Sequence, residues 1–393
     1  MIQVPEIRRF YEACEAGRIN SATSTDGRLV CFKYTEATAA NADWDDVTLN
    51  ARGIVFEVAT GKIVARPWHK FFNWHELYGD HSLVSKTVEA VKKAGLPFGM
   101  EGRPIMLDKI DGSLGIAYWY GGEWHVNTGC NFNSPQALFA TKWLRDHVRD
   151  GFCDSEHTYL FEIVWHLDRH PIKYGTDELV FLGMVDNATG NEELSIPYLD
   201  TVACRFGTHL PEVSRFDSLE KVVSICSSLP SDHEGFVLTW ENGFKLKMKG
   251  AAYLKLVGFY EKCTDKYLWR AYDPVKNMFH ANLDEMHGYA YVDDEPLIVP
   301  EELPEIRDRL ELYVARYNGI LESVVSDSDY VKALFPDMKG RAMYIKEHFP
   351  TDRHAPMLSY LRGDNIDKVK MLVNKCVMRP EKGASDTNFG VSD

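Results

Sequence analysis

Three stretches of the chain put charge where a folded segment would ordinarily carry apolar or small residues. Lys109 stands in DKIDGS, directly before Asp111, Gly112 and Ser113. The alternation around it reads as a buried β-hairpin with this lysine at its edge. A lysine held in a partly desolvated, cation-rich pocket has a lowered pKa, and its neutral amine is then a nucleophile. Gly112 would let the backbone approach a ligand closely. The competing reading is an edge lysine whose ammonium reaches water beside a turn. Glu162 lies inside the apolar run TYLFEIVW. Strand alternation sets it on the face of Leu160 and Val164, where a buried carboxylate needs a cation, a metal ion or a hydroxyl beside it. An exposed edge position is the alternative. In FKLKMK, the side chains of Lys245, Lys247 and Lys249 share one face at a spacing of about 7 Å. Such a row repels itself unless a polyanion sits among the charges. Glu234 has the same facing if Asn242-Gly243 closes a two-residue turn. Lysines guarding a solvated edge against aggregation explain the row as well.

The elements that must position these residues follow from periodicity. Residues 28–72 contain LVCFKY, ARGIVFEV and KIVARPWHKFF, with Thr60-Gly61 as a turn signal, and predict a β-meander. Between 105 and 126, Leu114, Ile116, Tyr118 and Tyr120 alternate before Gly121-Gly122, and EWHVNT returns. Residues 135–149 predict a helix, and 158–166 and 178–185 predict strands. EGFVLTWENGFKLKMKG predicts a second hairpin at Asn242-Gly243. Beyond Tyr253 the period changes: Ile306, Leu310, Tyr313, Tyr317, Ile320 and Val324, then Ile366, Val369, Val373 and Cys376, recur at helical spacing. The fold class expected is α+β, with antiparallel sheets first and a mostly α-helical last third. The domains expected are 1–258, 259–378 and a loose tail at 379–393.

Composition bounds what the charges can serve. The chain has 393 residues, 45% hydrophobic and 12% aromatic, enough for a large packed core. The opening MIQVPEIRRFYEAC has no apolar run of signal-peptide length, and no later stretch reaches the roughly 18 apolar residues of a membrane span. Eight cysteines without a CxxC pair point to reduced thiols and a cytoplasmic location. Cys153 with His157 is one ligand pair where a structural zinc needs four ligands. A net charge of −14 argues against sequence-independent coating of nucleic acid, so a polyanion must be held at a focused site. Neither GxxxxGKS nor GxGxxG after a strand is present.

A lysine before Asp-Gly, a glutamate in an apolar strand, then EG and a KxK strand, in that order, resemble the covalent nucleotidyltransferases, the ligases and messenger RNA capping enzymes. ARGIVFE, ARPWHKFFNWHE, DKIDGSL, LFEIV, EGFV and KMKGAAY narrow the resemblance to the phage-type ATP-dependent RNA ligase 1 family, and YVDDEP at 291–296 extends it into the helical third. The resemblance implies a nucleotidyltransferase domain in which Lys109 is the adenylated nucleophile. It implies catalytic roles for Glu162, Glu234, Lys247 and Lys249, and nucleotide contacts from Arg52, Lys70, Phe72, Gly112, Gly235 and Tyr253. Lys245 stays outside the motif. Asp293 and Asp294 match an acidic pair that meets metal ions, although an exposed acidic turn explains them equally. One departure stands out: the family carries a lysine in the strand after the nucleophile, and VNTGCNFNSPQA offers Thr128 and Gly129 there.

The implied reaction joins a 5′-phosphate to a 3′-hydroxyl in RNA with ATP and Mg²⁺ or Mn²⁺, through lysyl-AMP and AMP-capped RNA. The helical third replaces the strand-rich barrel that follows KxK in DNA ligases and capping enzymes. It would select single-stranded or nicked structured RNA, such as a tRNA anticodon loop, for a monomer acting in the cytoplasm, a host's in the case of a phage protein. Two alternatives stay open: a DNA ligase or capping-type enzyme, and a degenerate ligase fold kept for RNA binding.

Overall fold

Strands form where β-branched and aromatic residues alternate, and they end where glycine permits reversal. The computed structural model describes residues 4–79, 82–148, 151–168, 170–216, 218–282 and 295–377. The first four strands, β1 (Ile19–Thr23), β2 (Leu29–Tyr34), β3 (Arg52–Glu57) and β4 (Ile63–Ala65), pair antiparallel in sequence order as the predicted meander. The chain then lays down β5 (Phe72–Asn73) and β6 (Ile105–Asp108). A second four-stranded antiparallel sheet follows from β7 (Ser113–Tyr120), β8 (Glu123–Thr128), β9 (His157–Val164) and β10 (Glu178–Asp186), in the order β10-β9-β7-β8. Finally β11 (Val213–Ser214), β12 (Gly235–Thr239) and β13 (Lys245–Lys249) join β5 and β6 in a five-stranded sheet ordered β11-β6-β12-β13-β5, with the β13–β5 pair parallel.

The chain divides into two compact units, one ending at Leu254 and the other beginning at Lys255. In the first, Cys31 and Val55 of the meander pack against Ile116, Tyr118 and Leu160 of the second sheet. The other face of that sheet is covered by the helices Pro135–His147 and Ile196–Arg205, through Ala140, Leu144, Leu199 and Val202. Ser134 caps the first of these helices and Pro135 starts it, as a proline at that position can. In the second unit a helix runs from Pro304 to Leu334 and buries Ile306, Tyr313, Tyr317, Val324 and Val331 on one stripe. That is the face the period predicted. Val369, Val373 and Val377 of the helix Ile366–Val377 pack in the same core. No helix among the described residues is long and apolar enough to cross a membrane.

Two local readings of the sequence differ from the structure, and both bear on Lys109. Residues 105–126 are not one hairpin. Gly121 and Gly122, at φ 63° and 91°, do turn β7 into β8, pairing Tyr120 with Glu123. But β6 pairs with β12, whereas β7 pairs with β9 in the other sheet. Lys109 to Gly112 therefore forms a crossover between two sheets. The second hairpin closes through three residues, not two: Trp240 N–H donates to the Phe244 carbonyl at 2.9 Å, and Gly243 adopts a φ of 82°. A three-residue loop with glycine in the left-handed region is a common hairpin closure.

Candidate active site

That extra loop residue shifts the register by one, so Thr239, Val237 and Gly235 stand opposite Lys245, Lys247 and Lys249. Plain alternation would then put Glu234 on the face away from the lysines. Gly235 reverses this. Its φ is 136°, and a Cβ there would lie 2.1 Å from the Met248 carbonyl oxygen, so neither the conformation nor the space admits another residue. The bend returns Glu234 to the lysine side, where Oε1 is 3.1 Å from Lys249 Nζ and Oε2 is 2.8 Å from Lys109 Nζ. The Lys109 backbone N–H donates to the Gly235 carbonyl at 2.9 Å. The crossover is thus tied to β12 by backbone and by side chain.

Three carboxylates, Glu234, Glu162 and Asp111, act on Lys109. Burial acts against its ammonium, but Glu234, Glu162 and Asp111 outweigh it and hold the pKa above the ordinary lysine value. This corrects the expectation of a cation-rich pocket with a depressed pKa. The sequence showed the lysine row on β13 but not that carboxylates stand between it and Lys109. Glu162 faces Leu114 and Val180 from the centre of its sheet. Burial lifts its carboxyl to about 7, against the pull of Lys109. Gly112 makes room for this arrangement: a Cβ there would sit 2.6 Å from the Ile163 carbonyl oxygen and 3.0 Å from Glu162 Cγ. Its close approach is to the protein itself.

Behind the crossover lies a network that sequence reading missed. The Asp111 carboxylate accepts from the Tyr253 hydroxyl at 2.9 Å and from the Ile172 N–H at 3.1 Å, with His170 Nδ1 also at 3.1 Å. The other imidazole nitrogen lies 3.1 Å from Asp168, which accepts from Ser113 at 2.6 Å and Gln136 at 2.9 Å. Burial would make His170 less basic, but Asp111 and Asp168 raise its pKa to about 10, so the ring is an imidazolium. The one sequence signal was the polar cluster Asp168, His170 and Tyr174 directly after the strand bearing Glu162. It has no periodicity and no motif spacing. Tyr253, expected at the nucleotide, is fully buried on Asp111.

In front of Lys109 a cleft with about 840 Å³ of empty space, partly open to solvent, is lined by Arg52, Phe71, Lys109, Glu162, Lys245 and Lys247, continued by aliphatic residues. The Arg52 guanidinium lies 4.7 Å and the Lys247 ammonium 5.1 Å from the Phe71 ring centre. Of the aromatic pair, then, Phe71 faces the cleft. Phe72, the residue expected there, is 2% exposed and belongs to the hydrophobic core. Lys70 is outside the cleft lining, its ammonium 5.4 to 5.8 Å from the rings of Tyr34, Trp44 and Phe72. Where the resemblance places a lysine near Thr128, Lys33 fills the space: a Cβ on Gly129 would meet its Cδ at 3.2 Å and its Nζ at 3.6 Å. Among the described residues no three His, Cys, Asp or Glu side chains gather as a metal site, and Asp293 and Asp294 lie outside the described residues. Mg²⁺ is commonly held through one or two carboxylates together with substrate phosphates. Of the carboxylates beside Lys109, Glu162 lines the cleft and would be available to it, whereas both Glu234 oxygens are engaged by Lys109 and Lys249.

A family model described as RNA ligase, of the phage T4 type, matches residues 50–253, just over half of the chain. An Autographa californica nuclear polyhedrosis virus protein named "Putative bifunctional polynucleotide kinase/RNA ligase" is 25% identical over 62% of this chain and 35% of its own. A "Putative RNA ligase" of Thermovibrio ammonificans is 27% identical over 47% of this chain and 46% of its own. The chain thus spans about a third to a half of the length of these curated relatives. Among solved structures, an archaeal ATP-dependent RNA ligase aligns over 92% of this chain and 96% of its own, at 13% identity and a TM-score of 0.43.

Proposed function

The chain belongs to the RNA ligase family of the phage T4 type, and from that premise we propose that it seals RNA, joining a 5′-phosphate to a 3′-hydroxyl at the expense of ATP. The observation that carries this reading is the placement of Lys109 between Glu234 and Glu162 at the head of a cleft whose walls present Arg52 and Lys247.

In the first step the Lys109 amine bonds to the α-phosphorus of ATP as the bond to pyrophosphate breaks, leaving AMP on the nitrogen. The resting ammonium must first lose a proton. Glu234 is in contact with it, and Glu162, at about 7, is poised to share a proton near neutrality. Lys247 and Arg52 offset charge on the phosphate and ribose side, and Phe71 holds both cations against the cleft wall. When bound, Mg²⁺ would neutralise charge on the departing pyrophosphate. AMP then passes to the RNA 5′-phosphate, and the RNA 3′-hydroxyl displaces it. The substrates proposed are single-stranded or nicked structured RNA, a cleaved tRNA anticodon loop among them, with the helical second unit selecting the fold. The protein would work as a monomer in the cytoplasm.

The test is incubation with labelled ATP and Mg²⁺. A covalent AMP adduct is expected in the intact protein and none in Lys109→Ala; equal labelling of that variant would dismiss Lys109 as nucleophile. A panel of single-stranded RNA, a nicked anticodon stem-loop and nicked duplex DNA then decides the substrate. Sealing of DNA alone would replace the RNA reading with a DNA ligase.

A further inference from the structure

Nothing in that mechanism uses Lys245, which the family motif also leaves aside. Its ammonium is 2.6 Å from Glu192 and 3.2 Å from the Thr239 hydroxyl, with side-chain exposures of 4% for Lys245 and 10% for Glu192. All three residues line the cleft. Such a pair is expensive to desolvate, and replacing it by apolar residues would ordinarily cost little or even stabilise the chain. An ammonium has three donors and a carboxylate about four acceptor positions. The contacts with Glu192 and Thr239 occupy two of those donors, the ammonium lies 4.7 Å from the Trp68 ring centre, and Trp68 also acts on the Glu192 carboxylate; one donor of Lys245 and further acceptor positions of Glu192 are left for a ligand in the cleft.

Their position defines what they meet. Lys245 stands four residues from Lys249 along β13, about 13 Å at strand spacing, so the charged end around Lys109 and Glu234 is one nucleotide length away. Aliphatic side chains line the cleft as well. Leu107 and Val237, cross-strand partners, belong to the five-stranded sheet. Leu182 comes from β10, where the ladder skips it between Phe181 and Gly183 as a bulge that re-aims its side chain. An apolar lining together with a buried donor beside a buried acceptor suits a heteroaromatic base.

We propose that Glu192 and Lys245 read the edge of the purine that charges Lys109: the carboxylate accepts from the exocyclic 6-amino group, and the ammonium donates to N1. This rests on the nucleotidyl-transfer reading above. Guanine presents an oxygen and an N–H at the same two positions, which puts acceptor against acceptor and donor against donor.

The experiment compares covalent labelling of the full chain by ATP, GTP and purine riboside triphosphate, which lacks the 6-amino group. Three proteins are used: the native chain, Glu192→Gln, and the paired Lys245→Met, Glu192→Leu variant that leaves no unpaired buried charge. The native chain should favour ATP about tenfold or more in kcat/KM over both analogues, because a site built around a hydrogen bond rejects the ligand lacking it. In both variants the preference should shrink to about threefold or less. A native preference retained in the variants overturns the proposal. So does equal loss with all three nucleotides, which marks a purely structural pair, and so does a native chain that does not discriminate. A native chain that forms no adduct with any of them removes the nucleotidyl-transfer reading itself, and this proposal with it.

Discussion

His170 and Asp111 are joined within the buried core at 3.1 Å, two residues past Lys109, and the far side of the same ring meets Asp168 at an equal distance. The ring's pKa of about 10 in the fold lies above its ordinary 6.5. Folding therefore binds a proton between those values, and the stability so gained is complete below about pH 6.5 and is lost as pH rises toward 10. Urea unfolding of the native chain should show a decline of a few kcal/mol across that interval. His170→Gln should lower stability at pH 6 and flatten the decline. A variant with the native slope would show that the ring does not carry the proton.

Glu162 titrates lower. Its value of about 7 exceeds the ordinary 4.5, so its contribution to stability is present below about pH 4.5 and lost as pH rises through 7. The ionised form is the one able to take the Lys109 proton. The kcat/KM of adduct formation should therefore rise with pH through an apparent pKa near 7. Glu162→Gln should remove that limb and slow the step by about a hundredfold or more. Persistence of the limb in the variant would assign it elsewhere.

Phe71 and Phe72 should separate into ligand and core effects. Phe71→Leu removes the ring face beneath Arg52 and Lys247 and should raise KM for ATP several-fold, since each such contact contributes about 0.5 to 2 kcal/mol. Phe72→Leu should leave KM near native and reduce stability by about 1 to 3 kcal/mol through lost packing against Trp44 and its neighbours. The reverse assignment would place Phe72 at the nucleotide.

Gly235→Ala tests the bend. With Cβ driven toward the Met248 carbonyl at a φ of 136°, the strand must shift, and Glu234 loses its bridge between Lys109 and Lys249. Loss of adduct formation is expected together with a stability cost of at least about 2 kcal/mol. A variant with full labelling would mean the bridge is dispensable.

Much of this site was legible because charge inside an apolar run is rare: Lys109, Glu162 and the β13 lysines stood out from their neighbours, and the helical second unit announced itself through Tyr313, Tyr317 and Val324. What stayed hidden depends on three dimensions. Nothing in residues 105–126 says that β6 and β7 leave for different sheets, because both strands alternate alike. The facing of Glu234 was expected from a two-residue turn. It arises from a three-residue loop and a compensating bend at Gly235, two offsets that cancel. His170 and Asp168 lie in irregular chain, where side-chain partners follow from the path of the backbone and not from a period. The choice between Phe71 and Phe72 falls where the chain enters β5, and a strand of two residues carries no alternation to read.

The crossover at Lys109 also says where the chain can be cut. Residues 108–113 are the stitch between two sheets, with both ends fixed by ladder bonds. A break or insertion there would uncouple the halves of the cleft. Gly121 and Gly122 form an exposed tip at the far end of β7. New termini or a reporter peptide placed at that tip leave the 108–113 stitch and the ladder bonds at both of its ends intact, which makes the tip the natural attachment point for labelling the protein while it works.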